Sequence, residues 1–190
     1  MKLAAAIEVL ARMDRQQGRH VYALRDLEKL LPESPRARQA TIGRLVQQGV
    51  LTRAARGVYV YALSAFLGRY TLEWIAVTLR RGEYCYLSLE SALSAYGVIS
   101  QIPMRHTIMT TGRRGEHITP FGTIEFTHTE RPLGEVMDSY PPIEPPGEPF
   151  RFDEHNPLPM ATCQAALRDL RRVGRNTHLI DEDEACECCQ

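Results

Sequence analysis

The chain has 190 residues, 44% of them hydrophobic, with 23 Lys/Arg against 23 Asp/Glu. That is enough for a packed core in one large domain or two small ones, and too balanced for a uniformly acidic or basic polypeptide. No apolar run reaches about 18 residues, and MKLAAAIEVLARMDRQQ continues as an amphipathic helix rather than a signal segment with a cleavage site, so we expect a cytoplasmic protein with no membrane role. Five cysteines, three of them crowded at Cys186, Cys188 and Cys189, argue against a disulfide framework.

The neutral total hides an asymmetry. Residues 1–60 hold eleven Lys/Arg against five Asp/Glu, a net +6, and residues 61–190 hold twelve against eighteen, a net −6. Lysine occurs only at Lys2 and Lys29, so the cations are nearly all arginine, the residue suited to bidentate contact with phosphate and guanine.

In chain order, residues 2–16 place Leu3, Ile7, Leu10 and Ala11 at helical spacing. Val21-Tyr22 reads as a short extended piece, and Leu24 to Leu31 as a second helix stopped by Pro32. The next stretch, SPRARQATIGRLVQQGVLTRAARGVYVY (34–61), is the most informative. Ser34 is a good N-cap and Pro35 suits the first helical position. On a helical wheel Ile42, Leu45, Val46 and Gly49 gather on one face, while Arg36, Ala37, Ala40, Gly43, Arg44 and Gln47 fall opposite. Gly49 ends the helix, and Val50-Leu51-Thr52 and Gly57 to Tyr61 flank a turn carrying Arg53 and Arg56. A helix followed by a basic hairpin is what a winged helix-turn-helix needs, with a recognition helix for the major groove and wing arginines for phosphate or minor groove. The candidate DNA-binding residues are Arg36, Arg38, Ala40, Arg44, Gln47, Arg53 and Arg56.

Tyr70 to Arg81 reads as a helix bridging to a second domain. Tyr84 to Leu87 reads as a strand, and Ser88 caps a helix from Leu89 to Tyr96, closed by Gly97. Two β-prone runs, Arg105 to Thr111 and Thr123 to His128, read as paired strands around the loop Gly112-Arg113-Arg114-Gly115-Glu116. The proline-rich stretch Pro141 to Pro149 reads as a stiff surface connection. Thr162 or a neighbour caps a last helix through Val173, and DEDEACECCQ reads as a solvated tail. The expected fold is α+β: a winged helix-turn-helix at 1–65, a mixed α/β domain at 66–180, and an acidic, cysteine-bearing tail at 181–190.

Four pieces, RLVQQGVLTRAARGVYVY, YLSLESALSAYGV, GRRGEHITPFGTIEFTH and PMATCQAALRDLRR, together resemble the AbiEi-family antitoxins of type IV toxin–antitoxin systems, over residues of about 5 to 175. The resemblance implies an N-terminal winged-helix domain that represses its own operon. It also implies a C-terminal domain that neutralises a nucleotidyltransferase-type toxin without a stable complex, and two copies on an inverted repeat of operator DNA. The tail after about Asp181 is not part of that pattern, so its role stays open.

Catalytic and metal chemistry finds little support. Gly112-Arg113-Arg114-Gly115 lacks the Lys-Ser/Thr of a phosphate cradle, and there is no nucleophile elbow or dinucleotide fingerprint. Asp181-Glu182-Asp183 reads as a terminal charge run rather than a magnesium site, and Cys186, Cys188 and Cys189 are too closely spaced for a structural zinc site. His106, His117 and His128 read as strand-end structural residues. We therefore expect no enzyme, no cofactor and no metal. Arg113 and Arg114, on a glycine-flanked tip, are the candidate antitoxin surface, able to swing toward a polyanion. The alternative function is a winged-helix regulator whose C-terminal domain senses a small effector, which predicts a pocket with convergent polar groups.

Overall fold

The computed structural model describes residues 2–68, 70–137, 156–181 and 185. The proline-rich connection and nearly all of the tail, including Cys186, Cys188 and Cys189, lie outside them. The chain is mixed α+β with two sheets, and it divides into two compact units, Met1–Arg81 with Thr119–Phe121 and Gly82–Ile118 with Gly122–Gln190.

The first unit runs α1 (Leu3–Gln17), β1 (Val21–Ala23), α2 (Leu24–Leu30), α3 (Pro35–Gln47), β2 (Leu51–Ala55), β3 (Val58–Tyr61) and α4 (Thr71–Leu79). Its three strands form an antiparallel sheet in the order β1-β3-β2. The register Tyr22↔Tyr59 on one side of β3 and Arg53↔Tyr59 on the other makes β3 the central strand. Helices and sheet close over one core of Ala6, Leu10, Tyr22, Leu27, Leu31, Ile42, Leu45, Val50, Leu51 and Tyr61. Each fully buried Leu or Ile contributes about 1.5–3 kcal/mol through removal from water.

The sequence boundary at 65 cuts through this unit. α4 packs on β1 and β3 and buries Thr71, Ile75 and Ala76. Two buried polar groups hold it there. Asp26 caps α2 through the Ala23 N–H at 2.9 Å, pairs with Arg19 at 2.7 Å, and receives both terminal nitrogens of Arg81 at 2.8 and 2.6 Å. The hydrogen bond from Arg81 holds the Asp26 carboxyl far below the usual carboxylate range, against the opposing push of burial. His20 is buried with Nε2 3.2 Å from Thr71 Oγ1 and Nδ1 3.2 Å from the Gly18 carbonyl, and burial lowers its pKa.

The second unit contains β4 (Cys85–Leu87), α5 (Leu89–Ala95), β5 (Arg105–Thr110), β6 (Gly115–Thr119), β7 (Gly122–His128), α6 (Leu133–Met137), α7 (Cys163–Val173) and a 3-10 turn at Thr177–Leu179. Its sheet order is β4-β5-β7-β6. The two β-prone runs do pair, but in parallel, because β6 lies between them in sequence and takes the far edge. Gly115 and Glu116, read as loop, are the first residues of β6. Thr162 caps α7 by accepting from the Ala165 N–H at 3.2 Å, and Gly174 ends it in the left-handed conformation.

Tyr86, Leu93, Met109, Leu167 and Leu170 are buried in the second core, and Tyr86 reaches a buried carboxylate, that of Asp169. Asp169 accepts hydrogen bonds from the Tyr86 and Ser88 hydroxyls at 3.0 and 2.9 Å and from Arg131 at 3.3 Å. These hydrogen bonds tie α7 to Tyr86 of β4 and to Ser88 at the start of α5. Cys163 is disulfide-bonded, a link that the sequence reading against a disulfide framework did not anticipate, and the Cys85 thiol is buried and donates to Thr110 Oγ1 at 3.3 Å.

Candidate nucleic-acid interface

The surface that the sequence singles out is built on α3 and the turn between β2 and β3. Ser34 Oγ accepts from the Ala37 N–H at 3.4 Å and Pro35 opens the helix, so α3 starts where its cap dictates. Gly49, at φ +69°, turns the chain so that Val50 N–H reaches the Leu45 carbonyl at 2.9 Å and β2 begins at once. Helix and hairpin are thereby held three residues apart.

The buried stripe of α3 is Thr41, Ile42 and Leu45. Val46, placed on the core face by the wheel, is exposed, as is Gly49. The reason is geometric: α3 packs against α1 and β2, and those neighbours draw in Thr41 and its side of the helix. The outward face carries Arg36, Ala37, Gln39, Ala40, Gly43, Arg44 and Gln47, all exposed. Gln39 is the member missed by sequence reading, although its spacing from Arg36 and Gly43 puts it on that face.

Arg44 is exposed, and its guanidinium donates to the buried Thr41 Oγ1 at 2.9 Å, so a core hydroxyl orients the central cation of the face. Arg38 differs from the other candidates. Its side chain is only 14% exposed, donates to the Glu33 carbonyl at 2.9 Å and pairs with Glu28 at 3.2 Å, so it ties α3 to the end of α2. Gly43 sits in the helix interior, and a Cβ built on it meets nothing within 4 Å. No packing among the described residues requires that glycine.

The hairpin turn is Arg56-Gly57, with Gly57 at φ +76°. A bulge between Arg53 and Ala55 turns Ala54 into the core and leaves Arg53 exposed, with Arg56 exposed at the tip. Leu24 N–H donates to the Gly57 carbonyl at 2.8 Å, fixing the tip against the start of α2. Between Ser34 and Leu72 the chain has six arginines and no Asp or Glu. Such a surface suits a polyanion: its exposed charged side chains on α3 and the hairpin are arginines, and the small residues of α3 leave its backbone approachable.

In the second unit, Arg113 and Arg114 are exposed on the β5–β6 connection and border an open groove of about 1240 Å³. Glu83, Glu116, Glu125 and His128 border it too, so its charge is mixed. His128 Nδ1 lies 2.6 Å from the Gly112 carbonyl, and the His117 ring stands edge-on to Phe126. The three strand histidines do not meet. Among the described residues no group of three or more His, Cys, Asp or Glu side chains could hold a metal ion, and no helix is long and apolar enough to cross a membrane.

No protein-family model matches the chain, and no curated protein matches it.

Proposed function

We propose that the chain is a DNA-binding regulator whose first unit is a winged helix-turn-helix. In this reading α3 enters the major groove of operator duplex, Arg44 and Gln47 read base edges, and Ala40 and Gly43 let the backbone come close. Arg36, near the helix N-terminus, and Arg53 and Arg56 on the hairpin bind phosphate or minor groove. The observation that carries the reading is the acid-free stretch from Ser34 to Leu72, whose exposed cations, among the described residues, lie on one helix face and one adjoining hairpin. Arg38 contributes to holding α3 in place rather than to contact.

The second unit is proposed as the part that neutralises a nucleotidyltransferase-type toxin without a stable complex, and the chain as an autoregulatory repressor that binds in two copies to an inverted repeat. The support is the resemblance carried by YLSLESALSAYGV, GRRGEHITPFGTIEFTH and PMATCQAALRDLRR. The reading assigns no catalytic role. Two experiments test it. Mobility shifts of the full chain on its own upstream DNA should show preference over random duplex and a steep fall with salt; equal binding to both duplexes would remove the repressor role. Co-expression with the product of a neighbouring nucleotidyltransferase-like gene should restore growth, and failure of the full chain to do so would remove the antitoxin role.

A further inference from the structure

Arg44 is exposed, yet its guanidinium is tethered. Nη2 donates to Thr41 Oγ1 at 2.9 Å, and Thr41 is fully buried at 0% exposure. The two residues are neighbours at i and i+3 on the surface of α3, so the tether runs along one helix. Threonine has few rotamers open to it inside a helix, and close packing holds the one it takes. The hydroxyl is therefore a fixed point for the guanidinium. The Glu33 carboxylate is close enough to interact with the Arg44 charge, but the hydrogen bond of the guanidinium goes to Thr41. Among the described residues Arg36, Arg53 and Arg56, the other exposed cations of this surface, make no side-chain hydrogen bond.

The tether has consequences for what Arg44 can recognise. A guanidinium presents five N–H donors in one plane and no acceptor. One of them is used on Thr41, and the rest remain for a ligand. In the major groove a planar pair of donors is matched by guanine, whose N7 and O6 are both acceptors. Adenine and cytosine place an amino donor there, and thymine a methyl beside its single acceptor. Because Arg44 gives up rotamer freedom on folding rather than on binding, a guanine in the right place is contacted at a smaller loss of entropy. A wrong base meets donors that cannot readily swing elsewhere.

We propose that Arg44 reads a guanine of the operator and that Thr41, without touching DNA, is the positioning residue that gives this contact its specificity. The inference rests on the DNA-binding reading and deepens it by naming the base and the residue that aims the arginine at it.

The test uses the full chain and its upstream DNA, with each guanine of the protected site replaced singly by 7-deazaguanine, which lacks the N7 acceptor. One guanine per half-site should show a loss of about tenfold, and hypoxanthine there, which keeps N7 and O6, a loss below about threefold. Thr41→Val should cut the 7-deazaguanine penalty at that position from about tenfold to below about threefold, at a melting temperature that shows the unit folded. Thr41→Ser, which keeps the hydroxyl, should restore it. A second measurement needs no Thr41 variant: ¹⁵N relaxation of the arginine Nε in the free protein, with Arg44 assigned through Arg44→Lys, should show Arg44 more ordered than Arg36, Arg53 and Arg56. Equal binding of the native protein to upstream and random duplex defeats the DNA-binding reading and this proposal with it. Preference for upstream DNA with no guanine sensitive to loss of N7, with that sensitivity intact in folded Thr41→Val, or with Arg44 as mobile as the other three arginines overturns the proposal alone.

Discussion

Replacing Gly43 by alanine should stabilise the first unit and at the same time weaken DNA binding. Gly43 lies inside α3, and a Cβ there meets no atom within 4 Å, so the methyl costs no packing. Glycine in a helix interior is about 0.5–1 kcal/mol less stable than alanine, because it gives up more backbone freedom on folding. For a unit of about 80 residues, 1 kcal/mol moves the melting temperature by roughly 4–8 °C, so Gly43→Ala in residues 1–81 should gain about 2–8 °C. On DNA the sign reverses. Gly43 lies on the exposed face with Ala40, Arg44 and Gln47, where the reading requires the helix backbone to approach base edges. A methyl in that contact should weaken the specific site by about tenfold, some 1.4 kcal/mol. Calorimetry and fluorescence anisotropy on the same preparation give both numbers. Stabilisation with unchanged or tighter operator binding would refute the placement of this face against DNA.

Three further outcomes follow from the packing. Leu45→Ala, fully buried under α3, should cost about 2–5 kcal/mol of stability in urea unfolding, and a loss below 1 kcal/mol would mean α3 is not anchored there. Residues 1–81 should fold alone, whereas 1–65 lose Arg81 from Asp26 and at least about 2–5 kcal/mol from Ile75; equal thermal midpoints by circular dichroism would put the boundary back at 65. His20 is held neutral, its pKa lowered by burial from the ordinary 6.5. The unfolded chain therefore binds the additional proton, so the contribution of His20 is present above about pH 6.5 and is lost as pH falls below it toward the lowered value. Urea midpoints should decline over that window in the native protein and decline less in His20→Gln, and identical pH profiles would remove His20 as the cause.

Local chemistry made the elements readable. Ser34-Pro35 set the start of α3 and Thr162 with Gly174 bracketed α7, because caps and stops act through neighbours in sequence. What depends on distant partners was hidden. Val46 looks like core on a wheel, yet the direction from which α1 and β2 approach decides that Thr41 is buried in its place. The extent of the first unit rests on Asp26–Arg81 and His20–Thr71, pairs more than fifty residues apart. β6 escaped notice because Gly115 and Glu116 have poor strand propensity, and only the pairing of an edge strand with β7 makes them extended. Within the candidate site, the outward cations Arg36, Arg44, Arg53 and Arg56 were legible from spacing, while the inward use of Arg38 needed the positions of Glu28 and Glu33.

The central claim is that α3 reads bases while the hairpin turn grips the backbone, and the paired variants Arg44→Ala and Arg56→Ala measure it most directly. Affinities of the full chain for its own upstream DNA and for random duplex, each over a salt series, give four values per variant. Arg44→Ala should cost roughly 1–3 kcal/mol on the upstream site and little on random DNA, whereas Arg56→Ala should weaken both alike and lower the salt slope by about one. Equal losses on both duplexes from both variants would make Arg44 one more phosphate contact and contradict the assignment of α3 as the reading helix.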